Sequence, residues 1–148
     1  MTSLASLVRA PIDPMAIVRA VSNPANGAVL LFLGAVRQVN DGRGVTGIDY
    51  SAYEAMAQRE LEAIVAEASA RFDGADVAVQ HRLGELAVED VSVAIAVGHA
   101  HRSAAYDVSR FVIEELKRRV PIWKREHYTD GTREWVDPTG RAGAGAPA

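Results

Sequence analysis

The stretch from His99 to Arg125 gathers most of the residues in this chain that could handle an anion or a proton. Seven basic residues, Arg102, Arg110, Lys117, Arg118, Arg119, Lys124 and Arg125, stand there against Asp107, Glu114 and Glu115. The segment therefore carries +4 and the remainder −7, in a chain whose total is −3. A local basic zone on an acidic protein suits one specific anionic ligand better than a polyanion. The plainer explanation of Lys117, Arg118 and Arg119 is that they close a helix, where each cation gains ~0.3–1 kcal/mol from the helix dipole. Lys124 follows Pro121-Ile122-Trp123 in a stiff segment. A lysine packed on an indole loses hydration, which lowers its pKa and makes it usable as acid, base or nucleophile. The alternative is a surface lysine stacked on Trp123. His101-Arg102 stands where a strand turns into a helix, so free amides and a guanidinium fork could hold an anion there; a capping histidine beside an exposed arginine explains the pair equally well. Arg37 follows Gly34 at the end of an apolar strand, a place where sites gather and where ordinary loop arginines also occur. His99-Ala100-His101 has the alternate spacing of a metal pair on a strand, with His81 as the one candidate third ligand. A catalytic zinc site needs about three protein ligands, and no glutamate or cysteine pattern completes this one, so no metal is expected.

The scaffold that must position these residues is a single domain of ordinary composition. The chain has 148 residues, 49% hydrophobic and 24% charged, with no cysteine. That mix excludes a disordered or collagen-like chain, and the missing cysteine excludes disulfides, thiolate metal sites and a cysteine nucleophile. The charge balance argues against nucleic acid and anionic membranes as partners. The longest apolar run, Ala28–Leu33, falls far short of the ~20 residues that span a bilayer. Met1–Ala10 lacks the features of a signal peptide, and a cytoplasmic location is expected. The ordered domain is expected to cover residues 1–136, followed by a flexible tail over 137–148, DPTGRAGAGAPA.

The elements alternate. Asp13-Pro14 reads as an N-cap with proline in the first turn, opening a helix to Val21. Ala28–Leu33 reads as an apolar strand, Gln38–Gly44 as a polar loop whose Asp-Gly and Arg-Gly steps invite tight turns or mobility, and Val45–Tyr53 as a second strand. Glu54–Phe72 is the clearest helix, with Ala57, Leu61, Ile64, Val65, Ala68 and Phe72 on one stripe and Glu60 and Glu67 off it. Strands follow at Val77–Leu83 and Val91–Val97, the second with large residues on one face and Ser92, Ala94 and Ala96 on the other, the pattern of a covered central strand. Ser103–Arg119 is a second long helix. Ile122–Tyr128 and Arg133–Val136 form a hairpin around Thr129-Asp130-Gly131. The expected fold is α+β, with helices packed on a mostly antiparallel sheet.

Taken in order, several short pieces resemble the large, catalytic subunit of molybdopterin synthase. They are Phe32-Leu33-Gly34-Ala35-Val36-Arg37; Ile48-Asp49-Tyr50 through Tyr53-Glu54-Ala55-Met56; His81-Arg82-Leu83-Gly84; His101-Arg102-Ser103-Ala104-Ala105-Tyr106; and Lys117 through Pro121-Ile122-Trp123-Lys124-Arg125-Glu126. The resemblance implies an α/β hammerhead with an additional antiparallel sheet. It implies a sulfurtransferase that converts cyclic pyranopterin monophosphate into molybdopterin, taking sulfur from the thiocarboxylate on the C-terminal Gly-Gly of a ubiquitin-like small subunit. It implies a homodimer within a heterotetramer; no cofactor is expected. Carried over residue by residue, it assigns Lys117 and Lys124 as catalytic and Arg37, His101 and Arg102 as substrate-binding. Two other classes fit some of the same residues: a metal-dependent pterin or nucleotide phosphate hydrolase using His99 and His101, and a non-catalytic scaffold for a ubiquitin-like partner.

Overall fold

A computed structural model describes residues 1–136, so the tail expected over 137–148 lies outside the described residues. Two sheets share one core. The first has the order β1 (Ser3–Val8), β5 (Asp76–Arg82), β7 (Val91–His99), β2 (Ala28–Ala35), and only the β1–β5 pair in it is parallel. The second runs β3 (Val39–Asn40), β4 (Arg43–Ala52), β8 (Ile122–Tyr128), β9 (Arg133–Val136), with β6 (Gly84–Ala87) also paired to β4, and is antiparallel throughout. Helices α2 (Glu54–Arg71) and α3 (Arg102–Arg119) pack side by side on one face of the first sheet and share the core with the second, and α1 (Pro14–Val21) covers the other face of the first sheet.

Strand β7 explains this layering. Its large residues Val93, Ile95 and Val97 join the main core with Leu61, Ile64 and Val65 of α2 and Val108 and Val112 of α3. Its small residues Ala94 and Ala96, with Ala78 of β5, let Ile17 and Val21 of α1 approach closely. Helix α1 starts as the sequence predicts. Pro14 follows the cap residue, and the Asp13 carboxylate accepts from the amides of Met15 at 3.1 Å and Ala16 at 3.3 Å. Glu60 and Glu67, off the apolar stripe of α2, clamp Arg119 of α3 at 3.2 and 2.7 Å. Among the described residues no helix is long and apolar enough to cross a membrane.

Three sequence expectations change. Ser3–Val8 forms a strand, and so does Gly84–Ala87. The Gln38–Gly44 segment is a hairpin rather than a loop: Asn40 pairs with Arg43, and Asp41 (φ 50°) and Gly42 (φ 75°) make the two-residue turn. Positive φ at both turn residues is what the right-handed twist of a short hairpin requires, and Asp-Gly supplies it at low cost.

Candidate active site

The second sheet, the end of β2 and the start of β7 in the first sheet, and the C-terminal part of α3 line a cleft of about 210 Å³. Three turns deliver its polar groups. A β-bulge at Gly34/Ala35 ends β2, burying Val36 and leaving Arg37 on the cleft wall. The Asp41-Gly42 turn sets Asn40 beside it. At the third, α3 ends at Arg119, and the Ile122 amide donates to the Val120 carbonyl at 2.8 Å around Pro121, reversing the chain into β8. Lys117 on the last turn of α3 and Lys124 on β8 thereby face the same cleft. Phe32, Tyr50 and Ile113 supply apolar wall.

Each polar group has a defined environment. The Lys124 ammonium lies 3.3 Å from Oε1 of Glu126, a carboxylate that is 1% exposed. The same oxygen accepts from Nδ2 of Asn40 at 2.6 Å, and Oδ1 of Asn40 accepts from Arg37 at 3.1 Å. Oε2 of Glu126 is buried without a partner. Lys117 opens to solvent at the cleft mouth, yet the protein around its ammonium, and then the positive charge of Lys124, push its pKa below the ordinary lysine value. Tyr50 lies behind both lysines, its hydroxyl pushed up by burial, with a hydrogen bond to Ser92 opposing and the Glu126 charge adding to the rise. Under it sits His81, fully buried, its ring 5.1 Å from that of Tyr50. Burial, reinforced by Lys117, pushes His81 down to about 4, and its Nδ1–H donates to the Arg82 carbonyl.

The single chain thus brings Arg37, Lys117 and Lys124 together, but not His101 and Arg102. These two are exposed at the start of α3, fifteen residues from Lys117, or roughly 22 Å at 1.5 Å per residue. The basic zone is therefore not one patch. Arg118 pairs with Glu115, Arg119 with Glu60 and Glu67, and Arg125 with Asp49 at 2.6 Å. Asp49 also accepts from His127, and these partners together hold its carboxyl below the usual range although its burial opposes them.

Trp123 does not pack on Lys124. Successive side chains of a strand point to opposite faces, and Trp123 stacks edge-on against Tyr53 at 5.0 Å, away from the cleft. Tyr50, opposite Lys124 in the β4–β8 register, provides the aromatic wall instead. His99 is also committed: Nε2 hydrogen-bonds the Phe72 carbonyl at 3.1 Å, and Nδ1 accepts from the His101 amide at 3.0 Å. His81 pairs with Val93 while His99 pairs with Ala28, at opposite ends of the sheet. Among the described residues no group of three or more metal-ligating side chains is assembled.

Sequence reasoning gave no role to Asn40, and Glu126 appeared only as the end of a motif. One composition signal would have isolated the lysines: the chain has fourteen arginines and two lysines, and both lysines are in the cleft. An arginine stays protonated at any ordinary pH, so only lysine offers an amine that gives and takes a proton.

The family model described as MoaE protein matches residues 7–119. The chain belongs to this family. The matched segment includes Arg37, His101, Arg102 and Lys117, while Lys124 lies beyond it. The chain is similar to a molybdopterin synthase catalytic subunit of Halalkalibacterium halodurans, 40% identical over 88% of this chain and 83% of that protein. It is 46% identical to one from Synechococcus elongatus, over 86% and 78%. A crystal structure of molybdopterin synthase from Staphylococcus aureus superposes with a TM-score of 0.85 at 34% identity, covering 92% of this chain and 98% of that one. The α+β architecture expected from the sequence, and the hammerhead-like form with an added antiparallel sheet implied by the resemblance, are thus shared with that solved structure.

Proposed function

We propose that this chain is the catalytic subunit of a molybdopterin synthase. In that reaction the thiocarboxylate sulfur of a ubiquitin-like small subunit bonds to carbon of cyclic pyranopterin monophosphate. The acyl carbon of the Gly-Gly tail takes an oxygen from water and leaves as a carboxylate, while each new C–S bond replaces a C–O bond of the substrate, one oxygen departing as water and the other staying on the phosphate as its ring opens; two rounds install the dithiolene. The observation that carries this reading is the cleft itself, where the only two lysines of a MoaE-family chain stand with Arg37 around one small volume.

Arg37 is suited to the substrate's phosphate, as a guanidinium fork matches phosphate oxygens. Lys117, with its depressed pKa, is the better placed to accept and return a proton. Lys124, ion-paired with Glu126, offers a fixed positive charge near the reacting carbons. A chain without cysteine must receive its sulfur from outside, which fits a thiocarboxylated partner. The cleft is smaller than the ~300–1,000 Å³ of typical ligand pockets, and His101 and Arg102 lie far from it. Both facts support a homodimer in which a second copy lends His101 and Arg102 to the substrate, with one small subunit serving each cleft. The test is reconstitution. The purified chain, a thiocarboxylated small subunit and cyclic pyranopterin monophosphate should yield molybdopterin, and absence of product would overturn the reading.

A further inference from the structure

The hairpin at residues 39–44 contributes a side chain that belongs to neither lysine nor to the anion-binding arginine, yet touches both systems. Asn40 lines the cleft, accepts from Arg37 through Oδ1 at 3.1 Å and donates through Nδ2 to Glu126 at 2.6 Å. Glu126 Oε1 is also the partner of Lys124. Arg37, Asn40, Glu126 and Lys124 therefore form one unbroken polar chain along the cleft wall.

The chemistry of its ends fixes the middle. A guanidinium only donates and a carboxylate only accepts, so the bridge needs an acceptor on one side and a donor on the other. A carboxamide has both and carries no charge. An aspartate there would satisfy Arg37 but set a second negative charge against Glu126, and alanine would satisfy neither. The same requirement fixes the amide orientation, since the flipped form would aim NH₂ at the guanidinium. The Glu126 carboxylate is shared: Asn40 takes part of the acceptor capacity of Oε1, and its second oxygen has no partner. Lys124 is thereby held beside Glu126 by a carboxylate that is not wholly its own.

We infer that Asn40 is a positioning residue that couples the Arg37 end of the cleft to the Lys124 end, orienting the guanidinium for an anion while limiting how tightly Glu126 holds the Lys124 ammonium. The inference rests on the proposed reaction for its kinetic consequence but not for its structural one. Asn40→Ala frees Arg37 and leaves Glu126 to Lys124 alone. Asn40→Asp keeps the acceptor for Arg37 but replaces the donor to Glu126 with a second negative charge beside Glu126 and Lys124.

Two measurements on the full chain test it. In the reconstituted reaction, with folding checked by circular dichroism, Asn40→Ala should raise KM for the cyclic pyranopterin about 5-fold and lower kcat about 10-fold, the scale on which small misplacements act. Asn40→Asp should return KM to within about 2-fold of wild type while kcat stays low, a split that general loss of structure would not produce. Separately, because the chain has two lysines, brief acetylation with acetic anhydride followed by peptide mass spectrometry reads each amine individually. Lys124, tied more tightly to Glu126 in both variants, should react about 3-fold more slowly relative to Lys117 than in wild type. Both variants within 2-fold of wild type in kcat and KM, or KM and kcat shifting equally in the two, would overturn the inference. So would an unchanged Lys124 to Lys117 labelling ratio, even if the wild-type chain made no molybdopterin. That last kinetic result would overturn the reaction assignment instead.

Discussion

At its C-terminal end helix α3 carries Lys117 into a cleft walled by β4 and β8; at its N-terminal end it presents His101 and Arg102 to solvent. The first end is expensive to build. A lysine is pushed below its ordinary pKa, a glutamate is buried with one oxygen unpartnered, and a histidine is buried uncharged behind them. The second end costs little, because its polar groups remain hydrated. The His101 amide is satisfied by His99, and the His101 side chain makes no capping bond. On the proposed function, Lys117 must change protonation and needs the costly environment, whereas His101 and Arg102 only meet another molecule and can wait in water until it arrives.

The sharpest way to break this contrast is to remove the lysines. Lys117→Ala and Lys124→Ala should each lower single-turnover molybdopterin formation by ~10²–10⁴-fold with circular dichroism unchanged, the usual loss for an essential proton-transfer or charge-stabilising group. Near-wild-type rates would reduce the cleft to a docking surface. The exposed end is tested by mixing. Arg102→Ala and Lys117→Ala chains, each inactive alone, should recover about a quarter of wild-type activity when unfolded together, refolded and paired at random, because half the dimers then hold one intact shared site. No recovery would mean that the two ends never serve a common site.

The cost of the buried end should also appear as pH-dependent stability. An unfolded His81 takes up a proton near pH 6.5, and the folded one resists until about pH 4. The unfolded state therefore binds more protons across that window. Stability from this group is complete above pH 6.5 and is lost as pH falls toward 4, about 2 kcal/mol of it by pH 5. Urea unfolding at pH 7 and pH 5 should show a visibly smaller difference in His81→Phe than in wild type. The smallest effect is expected at Arg118. Its pair with Glu115 is solvent-exposed on the arginine side and worth about 0–1 kcal/mol, so Arg118→Ala should change the rate less than about 2-fold.

Much of this was legible because periodicity reports burial. The stripe of α2, the two-faced pattern of β7 and the Ile122–Tyr128/Arg133–Val136 hairpin all stand in the structure as read. Strand β1 was not legible: SLASLV is short, and its pairing with β5 joins residues as distant as Ser3 and Val77. Strand β6 has four residues, too few for alternation to register. At the site, adjacency in sequence misled once. Trp123 is next to Lys124 along the chain and, for that reason, on the other face of the strand. Asn40 escaped notice because its meaning lies in two partners, one of them 86 positions away.

That reach across the sequence has a temporal side. Every strand of the first sheet has been synthesised once His99 is made, whereas the second sheet waits for β8 and β9. Asp49 and Arg125, which meet across β4 and β8, are 76 positions apart. At translation rates of ~5–20 residues per second, β4 precedes its partner by roughly 4–15 s. Through that interval β4 has only the four-residue β6 and the short β3 to cover its edges, and one of them lies open to stray pairing. Synthesis thus completes the strands of the first sheet before those of the second, and Lys124 and Glu126 on β8 are among the last parts of the cleft to be made.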